Sequence, residues 1–225
     1  MTKSRLRWAI TTVLFLVSSL ATVMAQNPSK YYEEIPRTFY GGLLAGVNFS
    51  QVDGDAYAGY HKVGFNVGGI VYTRFTPHLA ASLEILFSQK GAKGHQVQQL
   101  GVSDSFLTGY RINLNYAEIP IMLNYFDRRK SHFGAGLSYS QLINGEELIE
   151  VTRGNQTSDV DASAYPFRKS DLNFVAGGNL HLVKGLFLNA RFQYSLLSIR
   201  KQHYPGIGRS DQYNNMWAVR LMYLF

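Results

Sequence analysis

Residues 216–225 read MWAVRLMYLF. Taken alternately, Trp217, Val219, Leu221, Tyr223 and Phe225 form one apolar face, while Met216, Ala218, Arg220, Met222 and Leu224 form another with an arginine at its centre. Period-2 alternation marks a strand whose two faces meet different surroundings. Soluble domains usually let their last residues fray. A chain that stops on an aromatic strand residue is therefore expected to use that terminus as a structural part.

The same alternation recurs in eight segments, roughly 39–49, 61–75, 79–91, 110–126, 132–142, 171–183, 186–199 and 213–225. Their connections alternate in length. Thr76-Pro77-His78, the run Asp127 to Ser131, and Lys184-Gly185 are tight, with proline, aspartate or glycine at the bend. Those around 50–60, 92–109, 143–170 and 200–212 are long and polar. An even number of antiparallel strands with short turns at one end and long loops at the other is the pattern of an outer-membrane barrel. The expected fold is all-β, an eight-stranded antiparallel up-and-down transmembrane β-barrel with both termini on the periplasmic side.

A soluble barrel of the lipocalin kind would have an apolar interior and a charged solvent face. Here Leu186, Leu188, Ala190, Phe192, Tyr194 and Leu196 share one face, opposite Phe187, Asn189, Arg191, Gln193 and Ser195. Glycine, asparagine and serine with few charges suit a crowded lumen better than open water. A cationic side chain facing lipid near the midplane costs ~2–4 kcal/mol, so Arg191 and Arg220 should point inward, joined by Glu84 and Arg74. The fourth segment is irregular. Ala117, Ile119, Ile121, Leu123 and Tyr125 read outward, yet Ile112, Leu114 and Tyr116 have the opposite parity. A bulge near Tyr116, or a strand top clear of the bilayer, would reconcile them. Aromatic rings favour both membrane boundaries. Phe39, Tyr40, Phe75, Tyr125, Phe126, Phe133, Tyr223 and Phe225 are expected in one girdle; Phe49, Tyr60, Phe87, Tyr139, Tyr194 and Trp217 in the other.

The chain opens on MTKSRLRW, with Lys3, Arg5 and Arg7, followed by an apolar run and then Val23-Met24-Ala25. This reads as a signal peptide over residues 1–25; the apolar run falls short of the ~20 residues of a membrane-spanning helix. A short polar periplasmic tail over 26–38 would then precede the barrel domain, 39–225. Removing the leader takes away three positive charges and no negative ones, so the formal +7 becomes +4, which gives little reason to expect nucleic acid as a partner. With no cysteine, a disulfide framework, thiol catalysis and cysteine-ligated metals are excluded.

Phe225 is expected to end the strand that closes the barrel against the first, leaving no exposed edge. Leu221, Tyr223 and Phe225 also look like the terminal signal read by the barrel assembly machinery. Three further stretches carry a family likeness: GGLLAGVNFS from Gly41, ASLEILFSQKGA from Ala81, and NYAEIPIMLNYF from Asn115. Together they resemble the PorT-type outer-membrane β-barrel proteins of Gram-negative bacteria. The resemblance covers nearly the whole chain after the leader. It implies a compact eight-stranded barrel in the cell outer membrane, of a type whose founding member is associated with a secretion system.

The sharpest candidate constellation is the lumen. Glu84 and Glu118 share the predicted interior with Arg74, Arg191 and Arg220. In a barrel of eight strands side chains just fill the interior, so these groups can pair across it. The structural reading is a charge-balanced plug; a gated path or proton relay is the functional one. Pro120 cannot donate a ladder hydrogen bond, which points to a bulge, weak pairing or a lateral docking point.

Other chemistry is weakly signalled. His61, His78, His95, His132, His181 and His203 are scattered, and none precedes a serine by two positions as lipid deacylase barrels require, so no catalytic residue is assigned. Asp53 and Asp55 lack the further oxygen ligands of a calcium loop; no metal or cofactor is expected. The segment Ile143 to Lys169 carries Glu146, Glu147, Glu150, Asp159 and Asp161, and ELIEVT alternates, so the fifth strand is expected to rise above the membrane as a hairpin. Arg128, Arg129 and Lys130 form a basic turn at the opposite end.

The expected role is that of a monomeric, non-catalytic platform embedded in outer-membrane lipid. It would contact a periplasmic or surface protein, with a link to protein secretion. A narrow porin-like channel for small solutes is the alternative, and a lipid-modifying barrel enzyme the second.

Overall fold

The computed structural model describes residues 38–55, 57–94, 97–99, 105–154, 156–159, 165–200 and 208–225. The leader expected over 1–25 and all but the last residue of the tail expected over 26–38 lie outside the described residues. Ten strands follow in order: β1 (Phe39–Asp55), β2 (Lys62–Arg74), β3 (Leu79–Lys93), β4 (Gln98–Gln99), β5 (Ser105–Phe126), β6 (His132–Arg153), β7 (Gln156–Asp159), β8 (Ser170–Val183), β9 (Leu186–Ser195) and β10 (Gly208–Leu224).

Eight of these close a ring. β1 pairs with β2, β2 with β3, β3 with β5, β5 with β6, β6 with β8, β8 with β9, β9 with β10 and β10 with β1, every pair antiparallel. The two-residue β4 and four-residue β7 add to the outer ends of β5 and β6. In lipid no water satisfies a bare strand edge, and closure removes the edges. The stretch 216–225 makes the seam: Arg220 lies opposite Gly46, and the Phe225 amide donates to the Gly41 carbonyl at 3.0 Å.

At one end the connections are tight. Lys130 donates its amide to the Asp127 carbonyl at 3.0 Å, and Lys130 (φ 66°) and Lys184 (φ 52°) occupy the left-handed region that lets two strands reverse within a few residues. At the other end the ring rises unevenly. β5 and β6 have 22 residues each, about twice the 9–11 that cross a bilayer. Gly154 (φ 58°) turns β6 into β7. The ELIEVT stretch is thus paired strand rather than loop.

Alternation sorts the side chains as the sequence implies. Leu43, Phe65, Ile85, Ile121, Leu137, Leu180 and Leu221 are among those standing exposed on the outside, whereas Asn48, Asn66, Glu84, Ser138, Gln193 and Arg220 are buried inside. A water-soluble fold places these classes the other way round; an outer apolar band around a polar lumen is the membrane arrangement.

Two sequence expectations need correction. A bulge does lie beside Tyr116, as expected, but on the partner strand, and β5 keeps one phase through that residue. Ile112, Leu114, Tyr116, Glu118, Met122, Asn124 and Phe126 are all buried on one face. The register slip opposite Asn115 and Tyr116 belongs to β6, where Ile143 is the extra residue between partners Leu142 and Asn144. Below the slip β6 turns even-numbered residues such as Ser138 and Ser140 inward; above it Glu147 and Ile149 take over. The parity conflict vanishes because the upper interior is itself apolar. Likewise Phe126 is not a girdle residue: it is buried and stacks on His132, ring centres 4.1 Å apart. Phe39, Phe75, Tyr125, Phe133 and Phe225 do stand exposed at the short-turn end, and Phe49, Phe87, Tyr139 and Trp217 toward the other.

Pro120 sits in a regular register. β3 pairs with β5 at Leu83–Ile121 and again at Leu86–Glu118, with no partners between. The ladder lapses beside a residue that has no N–H to donate, so Pro120 marks weak pairing without a bulge.

Candidate functional site

Four layers fill the lumen from the short-turn end upward. The floor is apolar: Leu44, Ile70, Tyr72, Leu86, Phe126, Phe187 and Met222 pack together. The Tyr72 hydroxyl and His132 Nε2 share a hydrogen bond of 2.8 Å within it. Three aromatic rings, Tyr72, Phe126 and Phe187, are among these inward side chains at the short-turn end.

Above the floor lies the first ionic layer. Glu84 on β3 meets Arg191 on β9 and Arg220 on β10. Arg191 Nη1 donates to Glu84 Oε2 at 2.9 Å, Arg191 Nη2 to Oε1, and Arg220 Nη1 to Oε2 at 3.1 Å. Arg220 Nε also donates to Asn189 at 2.7 Å and its Nη1 to Asn66 at 3.2 Å. The fork of Arg191 grips both carboxylate oxygens, the geometry that makes guanidinium–carboxylate pairs strong and directional. One acid serves two guanidiniums, leaving this layer with a net positive charge.

The second ionic layer centres on Glu118 of β5. Its Oε1 accepts from Lys90 Nζ at 2.5 Å, from Ser140 at 3.1 Å and from Gln193 at 3.3 Å. Lys90 reaches on to Asn173 at 3.3 Å and lies over the Tyr116 ring. Asp171 Oδ2 accepts from Ser195 at 2.7 Å and Asn214 at 3.1 Å. With two carboxylates and one ammonium this layer is net negative, complementing the one below it. Across the two layers Arg191, Arg220 and Lys90 balance Glu84, Glu118 and Asp171.

The roof is apolar again. Val52, Leu107, Tyr110, Ile112, Leu114, Tyr116, Ile149 and Ile199 form one cluster, with Tyr57, Leu142, Val151 and Phe167 against it. Tyr57 stacks on Tyr110 at 5.0 Å; burial, then the Asp55 carboxylate, pushes the Tyr57 phenol above its ordinary range. Arg200 clamps the roof from the side, donating to both Glu147 oxygens at 3.1 and 2.7 Å while its guanidinium covers Phe167 at 3.8 Å. The upper halves of β5 and β6 thus form a paired blade whose inner face packs with Val52, Ala92, Phe167 and Ile199 into this roof, tied at the side by Arg200 and Glu147.

Of the five lumen charges singled out from the sequence, the structure brings Glu84, Arg191 and Arg220 into one cluster and sets Glu118 in the layer above. Arg74 stands apart at the short-turn mouth, half-buried, its guanidinium 4.9 Å from the Phe126 ring centre and 5.4 Å from that of Tyr40. Lys90, Asp171 and Arg200 are not among the candidates read from the sequence, and Glu147 is read there only as one acid of the 143–169 segment. Lys90 shares the even parity of Glu84 along β3, a signal that was available. Glu147 turns inward only because of the slip at Ile143, which no periodicity reveals. At the closing strand, Leu221 is exposed on the outer face, Tyr223 half-buried and Phe225 exposed at the short-turn rim, its ring against Gly41.

The described histidines lie in different places. His132 and His181 flank Phe187, His78 stacks on Tyr125, and His61 precedes β2 at the opposite end; His95 and His203 lie outside the described residues. Among the described residues no group of three or more histidine, aspartate and glutamate side chains gathers where it could hold a metal.

The family model described as outer membrane protein beta-barrel domain matches residues 24–200. Three solved structures are similar at low identity. Ail, the attachment invasion locus protein of Yersinia pestis, is 13% identical with a TM-score of 0.47, covering 84% of this chain and 100% of that one. Neisserial surface protein A is 11% identical with a TM-score of 0.46, covering 85% and 100%. AlkL, solved in lipid bilayers, is 14% identical with a TM-score of 0.40, covering 88% and 96%. No curated protein matches the chain.

Proposed function

Since this chain belongs to the outer membrane protein beta-barrel domain family and is an integral protein of the outer membrane, we propose that it works there as a monomeric, non-catalytic platform, PorT-like in type. Its blade engages another protein, in a process linked to secretion across that membrane. One observation carries this reading: the lumen is filled, while β5 and β6 continue far past the bilayer as a paired blade rooted in the apolar roof.

A solute path would need the paired Glu84 and Glu118 layers and both apolar ends to move together, and breaking buried pairs costs about 3–5 kcal/mol each. Ordering a tall hairpin costs conformational entropy as well. What supports a binding role is that the blade is nevertheless built, and that its outer face displays Ile143 and Leu148 among Asn144 and Glu146. Mixed apolar and polar exposure of this kind suits a protein contact.

The test is native-mass analysis after gentle extraction from cross-linked outer membranes. A discrete complex larger than one barrel, lost in the Ile143→Asp/Leu148→Asp variant, is expected. A lone barrel that passes steady currents in planar bilayers would overturn the platform in favour of the channel, and altered outer-membrane lipid masses in a deletion strain would favour the enzyme.

A further inference from the structure

The lipid-facing surface is not evenly filled. On the outside of the ring, close to the short turns, a groove of about 370 Å³ over β3, β5, β6 and β8 and one of about 400 Å³ over β6, β8 and β9 share Phe133 as a common wall. Their floor is made of small residues, Ala135 and Ala176 in one and Gly178 and Ala190 in the other. A Cβ built on Gly178 would meet nothing within 4 Å, so the hollow there is open space and no neighbouring backbone requires the glycine. Around these small residues stand Leu123, Phe133, Leu180 and Leu188, all exposed on the outer face.

Asp127 and Ser131 line the second groove, and the turn between them carries Arg128, Arg129 and Lys130. Both arginines are exposed. The neighbouring turn adds Lys184. These two turns, 127–131 and 184–185, hold four bases against the single acid Asp127, whereas the turn Phe75–His78 has neither lysine nor arginine. An apolar hollow ending at a cationic rim, at the depth of the periplasmic leaflet, matches one acyl chain beneath one anionic headgroup.

We infer that this surface is a binding site for an anionic phospholipid of the periplasmic leaflet, its acyl chain lying along Phe133 and Gly178 and its headgroup held by Arg128 and Arg129. The inference is independent of the blade and of any protein partner.

The experiment is native mass spectrometry of the purified full-length barrel in micelles doped with phosphatidylglycerol or phosphatidylcholine. Each cation near an anionic lipid contributes roughly fivefold. The wild type is expected to retain one phosphatidylglycerol in preference to phosphatidylcholine, and Arg128→Gln/Arg129→Gln to lose about twenty- to thirtyfold of that preference. Gly178→Leu fills the hollow and should abolish retention of both lipids. Folding of each variant is checked by the shift between heated and unheated samples on gels. Equal retention of the two lipids by the wild type, unchanged retention in either variant, or a second barrel seated on this face would overturn the inference.

Discussion

Glu84→Ala is the substitution that tests the interior most directly. The carboxylate is 2% exposed and receives Arg191 through both Nη atoms and Arg220 through one. Its loss leaves two guanidiniums facing each other without an acid. Arg220 keeps Asn189 and Asn66, but Arg191 keeps only the weak acceptor Met122 Sδ at 3.2 Å. Removing one partner of a buried pair costs about 3–5 kcal/mol, and here most of it falls on Arg191. Glu84→Gln retains an acceptor and the volume but not the charge, and should cost about 3 kcal/mol, since a hydrogen bond to a charged group is worth about 1.5–3 kcal/mol and the repulsion remains. Adding Arg191→Met to Glu84→Ala should recover about 2 kcal/mol, a coupling typical of residues in direct contact. A chain starting at Gln26 carries Trp217 as its single tryptophan, on the lipid-facing side of β10, so its emission during urea unfolding in lipid vesicles reports the barrel itself. A loss below about 1 kcal/mol for Glu84→Ala would mean that lumenal water screens the arginines and that the interior is no dry, paired plug.

Glu118→Ala should destabilise the barrel by about 1–3 kcal/mol more than Glu118→Gln, which keeps an acceptor for Lys90, Ser140 and Gln193; equal urea midpoints would contradict this. Lys90→Met leaves Glu118 and Asp171 both anionic and should cost about 3–5 kcal/mol, largely reversed on adding Glu118→Gln in the same unfolding assay. At Gly68 an added Cβ would lie 2.0 Å from the Ile85 carbonyl oxygen, so Gly68→Ala should cost about 1–3 kcal/mol; an unchanged midpoint would show that β2 and β3 separate easily. Phe225→Ser should lower the amount of barrel assembled in cells while sparing refolding of the purified chain into micelles. Equal loss in both settings would make Phe225 a packing residue and no assembly signal.

Strand phase was legible because two solvents act on every strand. Lipid on one side and a narrow lumen on the other penalise a misplaced arginine by ~2–4 kcal/mol, so the sequence alone turns Arg191 and Arg220 inward. The short turns were legible for a similar local reason: Asp127 to Ser131 and Lys184-Gly185 hold residues suited to a sharp bend. The segment 143–153 was harder. Its acids, Glu146, Glu147 and Glu150, look like a solvated loop, and alternation in ELIEVT only hinted at pairing. β5 and β6 support each other there, and the slip at Ile143 decides that Glu147 faces Arg200 instead of water. Ile112 and Leu114 mislead because alternation elsewhere points to a polar lumen, whereas its upper end is apolar.

The sequence by itself determined the barrel: alternation, the count of strands in the ring, the order of short and long connections, and the inward face of Glu84, Glu118, Arg191 and Arg220. These are local properties, set by the two-residue repeat of a strand and by the media on its two sides. Only the tertiary structure decided which charges meet. Glu84 finds partners 107 and 136 residues away, while Arg74, ten residues from Glu84, remains at the mouth. Periodicity tells a side chain which way to point but not how high it stands. Height comes from the register and tilt of each strand against its neighbours, which are shared by the whole ring and fixed only when it closes.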